Sequence, residues 1–364
     1  MQQFRFPKRV DEITPQMLTA LISETHPGAT VESFKVLKSA GLGKMVSTAG
    51  RATLKLQYGP GSPALPEQVV VKMVIDKAGA PGVLYETEVQ NYKRMLPELD
   101  IEKAFFLGGT YDRESEQFAL ILEDLTLRGA MFPNALETRI SPQQVGATLE
   151  LLAKVHAHYW NSPKLLAERE WLSSGLEGRQ YEFFEVTTVP MLDDLVAGSE
   201  YKKSLIARVG RPPATLWQNI KAVNRFHERL PQTFLHGDTG VHNSYYLPDG
   251  RVGMIDWQIS VRGPWPRDIH YIICTALSIE DRRRSERDLI RQYLEGLARL
   301  GVKELPPLDD AMREYARAIV WGFTIGWLMA PTENYGPEIL SANLDRLVTA
   351  AEDLDTFALA DQVM

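Results

Sequence analysis

Three short β-rich runs, SFKVLKS, TLKLQY and QVVVKMVI, follow one another between Val31 and Ile75 and dictate how the first third of the chain folds. Links bearing glycine, proline and serine separate them, and GPGSPALPE (Gly59 to Glu67) reads as a loop. YETEVQNYKRMLPEL then has helical spacing, with Val89, Tyr92 and Leu96 able to share one stripe. KAFFLGGTY and QFALILEDL add two further strand-like runs. Ahead of them all, Thr14-Pro15 predicts a helix cap, with a short helix through Ile22. The texture turns helical after Leu125. Ser141 and Pro142 open SPQQVGATLELLAKVHAHYW, and further helices are expected over 191–209, 213–229, 281–300, 308–329 and 337–360. The expected fold is α+β in two lobes, a small antiparallel-sheet lobe over 1–125 and a larger helical lobe over 126–364. Ligands tend to bind where such lobes meet.

Composition narrows the function. A net charge of -7 argues against a nucleic-acid partner, because phosphate binding needs concentrated lysine and arginine. The basic triplet Arg282–Arg284 is interleaved with acids and reads as a solvated helix face. The single cysteine, Cys274, sits in an apolar stretch as a small buried side chain, and it fits a reducing compartment. The N-terminal residues lack an apolar run of signal-peptide length. The longest apolar run, Ala318 to Ala330, ends at Pro331 and is too short to span a bilayer, so it reads as a core helix. The expectation is a cytoplasmic protein without a membrane span.

The chemistry concentrates in HGDTGVHNSYYLPDGRVGMIDWQ, His236 to Gln258. Asp238 can accept a proton from a hydroxyl or orient it. Asn243 and Asp256 are oxygen donors of the kind magnesium takes alongside phosphate and water. Pro248-Asp249-Gly250 is a strong turn signal, so a hairpin would return Asp256 to the neighbourhood of Asn243. Phosphoryl transfer needs this kind of positioning and charge neutralisation more than covalent chemistry.

HGD, four residues, N, and then IDWQ resembles the aminoglycoside phosphotransferase and choline kinase-like superfamily, in particular its ecdysteroid kinase-like branch, which shares the protein-kinase-like fold. The resemblance implies that Asp238 is the catalytic base and that Asn243 and Asp256 hold magnesium on the nucleotide phosphates. It makes His236 a structural residue and Asp268, in PRDIHYII, a brace for the catalytic loop. Lys72 resembles the strand lysine that contacts the α- and β-phosphates. Glu88 resembles its helix partner, with Glu86 as the alternative. SAGLGKMVS resembles the nucleotide loop, with Gly41 and Gly43 letting backbone amides approach phosphate. Glu123, with Asp124, would lie near the adenine end. The implied activity is a kinase using ATP, or GTP, with magnesium to phosphorylate a hydroxyl of a small molecule.

Two other readings use the same residues. A nucleotide-binding pseudokinase would lack the base, the metal ligands or the lysine, and all are present here. A metal-dependent hydrolase could use His236, Asp238, His242 and Asp256 as ligands, but leaves Lys72 and the sheet without a role. His156 shares a helix face with Leu149, Leu152 and Trp160 and reads as a core histidine, while His158 faces elsewhere. His242 and Thr239 depart from the family pattern; His242 either lines the acceptor site or packs. Trp257, Trp265, Trp321 and Trp327 are core residues first and pocket walls second. The apolar C-terminal helices favour an apolar alcohol as acceptor.

Overall fold

The computed structural model describes residues 5–40, 49–74, 82–134, 136 and 138–364. Gly41 and Gly43 lie outside them. The chain divides into two compact units, one of residues 1–98 and 103–131, the other of 99–102 and 132–364.

The first unit is built on five strands, β1 (Val31–Ala40), β2 (Gly50–Tyr58), β3 (Gln68–Met73), β4 (Phe106–Tyr111) and β5 (Phe118–Glu123). They pair antiparallel throughout in the order β1-β2-β3-β5-β4. Helix α1 (Pro15–Thr25) begins where expected, with the Thr14 hydroxyl accepting from the Met17 amide at 3.2 Å. Its Leu18, Leu21 and Ile22 join Leu54, Val69, Val71 and Ile121 in one core. Because strand side chains alternate, Val69, Val71 and Met73 face that core and Lys72 faces the other way. Gly108 lets β4 run close under α1, since a Cβ there would stand 2.5 Å from the Leu21 carbonyl oxygen. On the opposite face of β5, Tyr85 of helix α2 (Gly82–Gln90) stacks on Phe118 with ring centroids 4.2 Å apart. The helix continues as a π-helical turn through Met95, and Val89, Tyr92 and Leu96 are all buried.

The second unit is mainly helical: α3 (Pro142–His158), α4 (Lys164–Ala167), α5 (Arg179–Ala197), α6 (Glu200–Val209) and α7 (Pro213–His227). Four short strands follow, β6 (Thr233–Leu235), β7 (Ser244–Tyr246), β8 (Val252–Met254) and β9 (Val261–Gly263), and then α8 (Pro266–Ala276), α9 (Ile279–Arg299), α10 (Leu308–Trp321), α11 (Thr332–Tyr335), α12 (Pro337–Asp353) and α13 (Thr356–Asp361). Ser141 caps α3 in a reciprocal box with Gln144.

Three expected helices are divided. The helix expected over 191–209 starts earlier, at Arg179, and breaks at Gly198, because the Ser199 hydroxyl accepts from the Lys202 amide and starts α6. The one expected over 308–329 passes into a π-helical segment, Gly322–Leu328, whose glycines admit the His270 and Tyr271 rings: a Cβ on Gly322 would lie 2.6 Å from His270 Nε2. The last divides at Asp355, which adopts φ 52°. Nor is the basic triplet uniformly solvated. Arg282 is only 1% exposed and is paired with Glu286 and Asp353, whereas Arg283 and Arg284 reach the surface. A buried guanidinium needs such acceptors, and the i+4 glutamate of its own helix supplies one.

Candidate active site

Asp268, fully buried on the first turn of α8, organises the loop that begins at His236. Its Oδ2 accepts from the His236 amide at 2.8 Å and its Oδ1 from the Gly237 amide at 2.9 Å. The Thr239 hydroxyl donates to its carbonyl at 2.6 Å. His156 of α3 completes the ring of donors with Nε2 at 3.3 Å from Oδ2, while its Nδ1 meets the Tyr293 hydroxyl at 2.7 Å. Burial pushes the Asp268 carboxyl up, but the His156 hydrogen bond, the neighbouring histidines and the Gly237 amide outweigh it and hold the group below its ordinary value. His156 is thus a core histidine with a task. Gly237 must be glycine: its φ is 85°, and a Cβ would fall 2.1 Å from the Ile259 carbonyl oxygen.

His236 ties the loop to the hairpin. Its Nδ1 accepts from the Asp238 amide at 3.2 Å, which leaves Nε2 to donate to the Ile255 carbonyl at 2.9 Å. Both nitrogens are engaged in a neutral ring, in keeping with a pKa that burial lowers against the pull of Asp268, Asp238 and Asp256. A histidine bonded in this way has no lone pair left for a metal. Among the described residues no group of three or more His, Cys, Asp and Glu is placed to hold a metal ion, the arrangement that hydrolase chemistry would use.

The hairpin forms as its turn signal predicts. β7 pairs with β8 in the register Ser244 with Met254, and Gly250 takes φ 87° at the turn. The Ile255 amide then donates to the Asn243 carbonyl at 2.9 Å, so Asn243 and Asp256 emerge at the same end. Asn243 is held by its side-chain nitrogen, which donates to the Asp238 carbonyl at 2.9 Å and so directs Oδ1 elsewhere. Asp256 stands at φ 65° and ψ 57°, a left-handed conformation that a non-glycine residue adopts at a cost.

Asp238 opens onto a cavity of about 220 Å³ walled by Phe183, Phe184, Tyr271, Trp321, Trp327 and Tyr335. His242 lines it too, with Nε2 3.7 Å from Asp238 Oδ2. Burial lowers the pKa of His242, but Asp238 and then Asp256 more than restore it, and the net shift is upward. Burial, with the Asp238 charge second, raises the Tyr271 and Tyr335 hydroxyls. Of the tryptophans, Trp321 and Trp327 line the cavity, while Trp257 stacks on Phe234 and Trp265 packs against Tyr293 in the core. Sequence reasoning missed Phe183, Phe184, Tyr271 and Tyr335, which come from α5, α8 and α11.

Buried Lys202 holds this wall by donating to the carbonyls of Leu328 (2.9 Å) and Ala330 (2.6 Å) at the end of the π-helical segment. Burial lowers its pKa from 10.5 to about 8, against the attraction of Glu333. Between those values the unfolded chain keeps a proton that the folded chain has released, so stability rises with pH across the window. Wild-type protein should therefore gain in Tm on Lys202→Met from pH 7 towards pH 10. A pH-independent difference would remove the assignment.

In the first unit, Lys72 Nζ lies 2.6 and 2.7 Å from the two carboxylate oxygens of Glu88, and both side chains are buried. Glu86 turns instead to Arg113. The Glu123 carboxylate accepts from the Phe105 amide at 2.8 Å and from Arg128 at 3.0 Å.

The sequence model of the ecdysteroid kinase-like family matches residues 43–305. The chain belongs to that family. No curated protein matches it. Among solved structures, this family member shares its fold with the GDP complex of wild-type aminoglycoside 2'-phosphotransferase-IIIa, at 11% identity, a TM-score of 0.52, and coverage of 94% of this chain and 99% of that one. It is similarly related to a Plasmodium vivax ethanolamine kinase, at 12% identity, a TM-score of 0.52, and coverage of 87% and 81% respectively. At such identities the likeness concerns the fold.

Proposed function

We propose that this ecdysteroid kinase-like protein transfers phosphate from ATP to a hydroxyl of a small molecule, with magnesium. The observation that carries the reading is the loop and hairpin of the second unit: Asp238 faces a cavity while Asn243, pinned by its amide nitrogen, and Asp256, held at a left-handed angle, leave the hairpin together. The nucleotide and small-molecule kinases sharing the fold support it; the GDP complex among them keeps GTP as the alternative donor. Asp238 would take the proton of the acceptor hydroxyl in the cavity. Asn243 and Asp256 offer an amide oxygen and a carboxylate, a donor set that fits magnesium beside phosphate oxygens. Magnesium, when bound, supplies charge neutralisation on the phosphates. Lys72, oriented by Glu88, would contact the α- and β-phosphates; Gly41 and Gly43 would admit phosphate to backbone amides, and the strand ending at Glu123 would reach the adenine.

The aromatic wall favours an acceptor alcohol with an apolar body. A screen of ATP consumption over hydroxylated metabolites, with the Asp238→Asn protein as blank, tests the activity; no Asp238-dependent turnover with any acceptor would refute it. Asp256→Ala should weaken ATP affinity roughly tenfold or more in magnesium and leave the affinity in EDTA unchanged. Equal losses in both buffers would remove Asp256 as a metal ligand.

A further inference from the structure

A general base works only where its oxygen is held against the proton it takes. The bonds within the His236 loop reach the backbone of Asp238: its amide donates to His236 Nδ1, and its carbonyl accepts from Asn243. His242 stands 3.7 Å from the carboxylate, beyond a strong hydrogen bond.

Tyr271 reaches that carboxylate from α8. Asp268 and Tyr271 are three residues apart on this helix and so share one of its faces. Asp268 accepts from the amides of His236 and Gly237, and one turn further on the Tyr271 hydroxyl hydrogen-bonds the Asp238 side chain. One helix therefore fixes first the backbone of the loop and then its reactive group. Ionised Asp238 can only accept, so the phenol is the donor. It keeps its proton, since burial and then the Asp238 charge raise its pKa.

The ring that carries this hydroxyl is itself seated. Tyr271 is 2% exposed and lines the Asp238 cavity. Trp321 meets it edge-on, with ring centroids 5.5 Å apart and planes at 83°. The π-helical segment lays Gly322 and Gly326 along it. A Cβ on Gly322 would fall 3.0 Å from Cδ2, and one on Gly326 would fall 2.7 Å from Cε2 and 2.8 Å from the hydroxyl oxygen. A side chain at 326 would have to displace the phenol. A ring confined on these sides has little freedom left to lose when an acceptor binds.

We propose that Tyr271 is a positioning residue of the phosphotransferase: seated by Gly322 and Gly326, its hydroxyl donates to Asp238 and turns the carboxylate so that its free oxygen faces the acceptor hydroxyl. The acceptor proton passes to Asp238 as the acceptor oxygen bonds to phosphorus and ADP leaves; Tyr271 keeps its own proton. This deepens the phosphotransferase reading and rests on it.

Steady-state kinetics of the full chain, with an acceptor found in the ATP-consumption screen, test it. Tyr271→Phe should lower kcat by roughly 10- to 100-fold, the worth of one hydrogen bond to a charged group, with the acceptor KM and the Tm close to wild type. A rise in KM alone would make Tyr271 a wall residue, and unchanged kinetics would make its hydroxyl idle; either overturns the proposal. Gly326→Ala keeps the hydroxyl but displaces it. It should lower kcat in the wild type and add little in Tyr271→Phe, because both changes act on one bond. Equal losses in the two backgrounds would mean general distortion of the wall and would also overturn it. Where Tyr271→Phe does not fold, the same split of kcat and KM in Gly326→Ala decides. Turnover lost in Asp238→Asn but kept in Tyr271→Phe sinks this inference alone. Absence of Asp238-dependent turnover with every acceptor sinks the phosphotransferase reading and this inference together.

Discussion

Asp238→Asn is expected to lower phosphoryl transfer by roughly 10² to 10⁴-fold, the range over which a positioned general base acts. Nucleotide affinity and Tm should stay at wild-type values. The substitution keeps the shape of the side chain and removes its capacity to accept a proton. The bonds that locate residue 238 are backbone bonds, from its amide to His236 Nδ1 and to its carbonyl from Asn243 Nδ2, and the variant retains both. The side chain faces His242, at 3.7 Å too far for a strong hydrogen bond, and the Tyr271 hydroxyl, to which an asparagine oxygen can still serve as acceptor. Loss of turnover should therefore come without loss of fold. Single-turnover rates with a responsive acceptor, beside nucleotide titration and thermal melting, check all three. A variant within a few-fold of the wild-type rate would show that the proton leaves by another route and would end the assignment of Asp238.

The residues with a fixed local geometry were the legible ones. Gly237, Asp238 and Asn243 sit in one short loop whose backbone path needs glycine at 237, and the Asn243 side chain bonds back to the Asp238 carbonyl, so the three lie close together in sequence. The hairpin was legible because Asp249-Gly250 can do little but turn. β-rich runs separated by links bearing glycine, proline and serine disclosed the sheet, and the pleat of the folded strand then sets Lys72 on the face away from Val71. The cavity around Asp238 was not legible. Phe183, Tyr271 and Tyr335 come from three helices far apart in sequence, and an aromatic residue on a helix looks the same whether it fills a core or lines a void. The break at Ser199 was hidden because a serine that caps a new helix and one on a helix surface differ only in the hydrogen bond the fold permits. Nor could sequence show the conformation of Asp256, whose left-handed angle comes directly after Ile255, bonded to Asn243 and His236 where the hairpin closes.

Asp268→Ala should be the most destabilising single change at the site, by about 3–5 kcal/mol, the cost of removing one partner from a buried charged network. The carboxylate accepts from two consecutive backbone amides and from His156, all shielded from water. Alanine leaves those donors unsatisfied in the interior. Asp268→Asn is the milder probe, because its oxygen can still accept from one amide while its NH₂ group faces the other donor. Chemical denaturation of both variants should give the order wild type, then Asn, then Ala. The acid limb of stability offers an independent reading. The Asp268 pKa is lowered from 3.8 in the fold, so its contribution is complete above 3.8 and is lost as the pH falls towards the lower folded value. The alanine variant should lack that part of the acid transition. Asp238→Asn and Asp268→Ala therefore separate two functions that the motif merges: the first should stop chemistry in an intact loop, the second should loosen the loop and lose chemistry as a consequence. Wild-type stability in Asp268→Ala would mean that the amides of His236 and Gly237 find other acceptors, and the loop would then owe its shape to Gly237 and His236 alone.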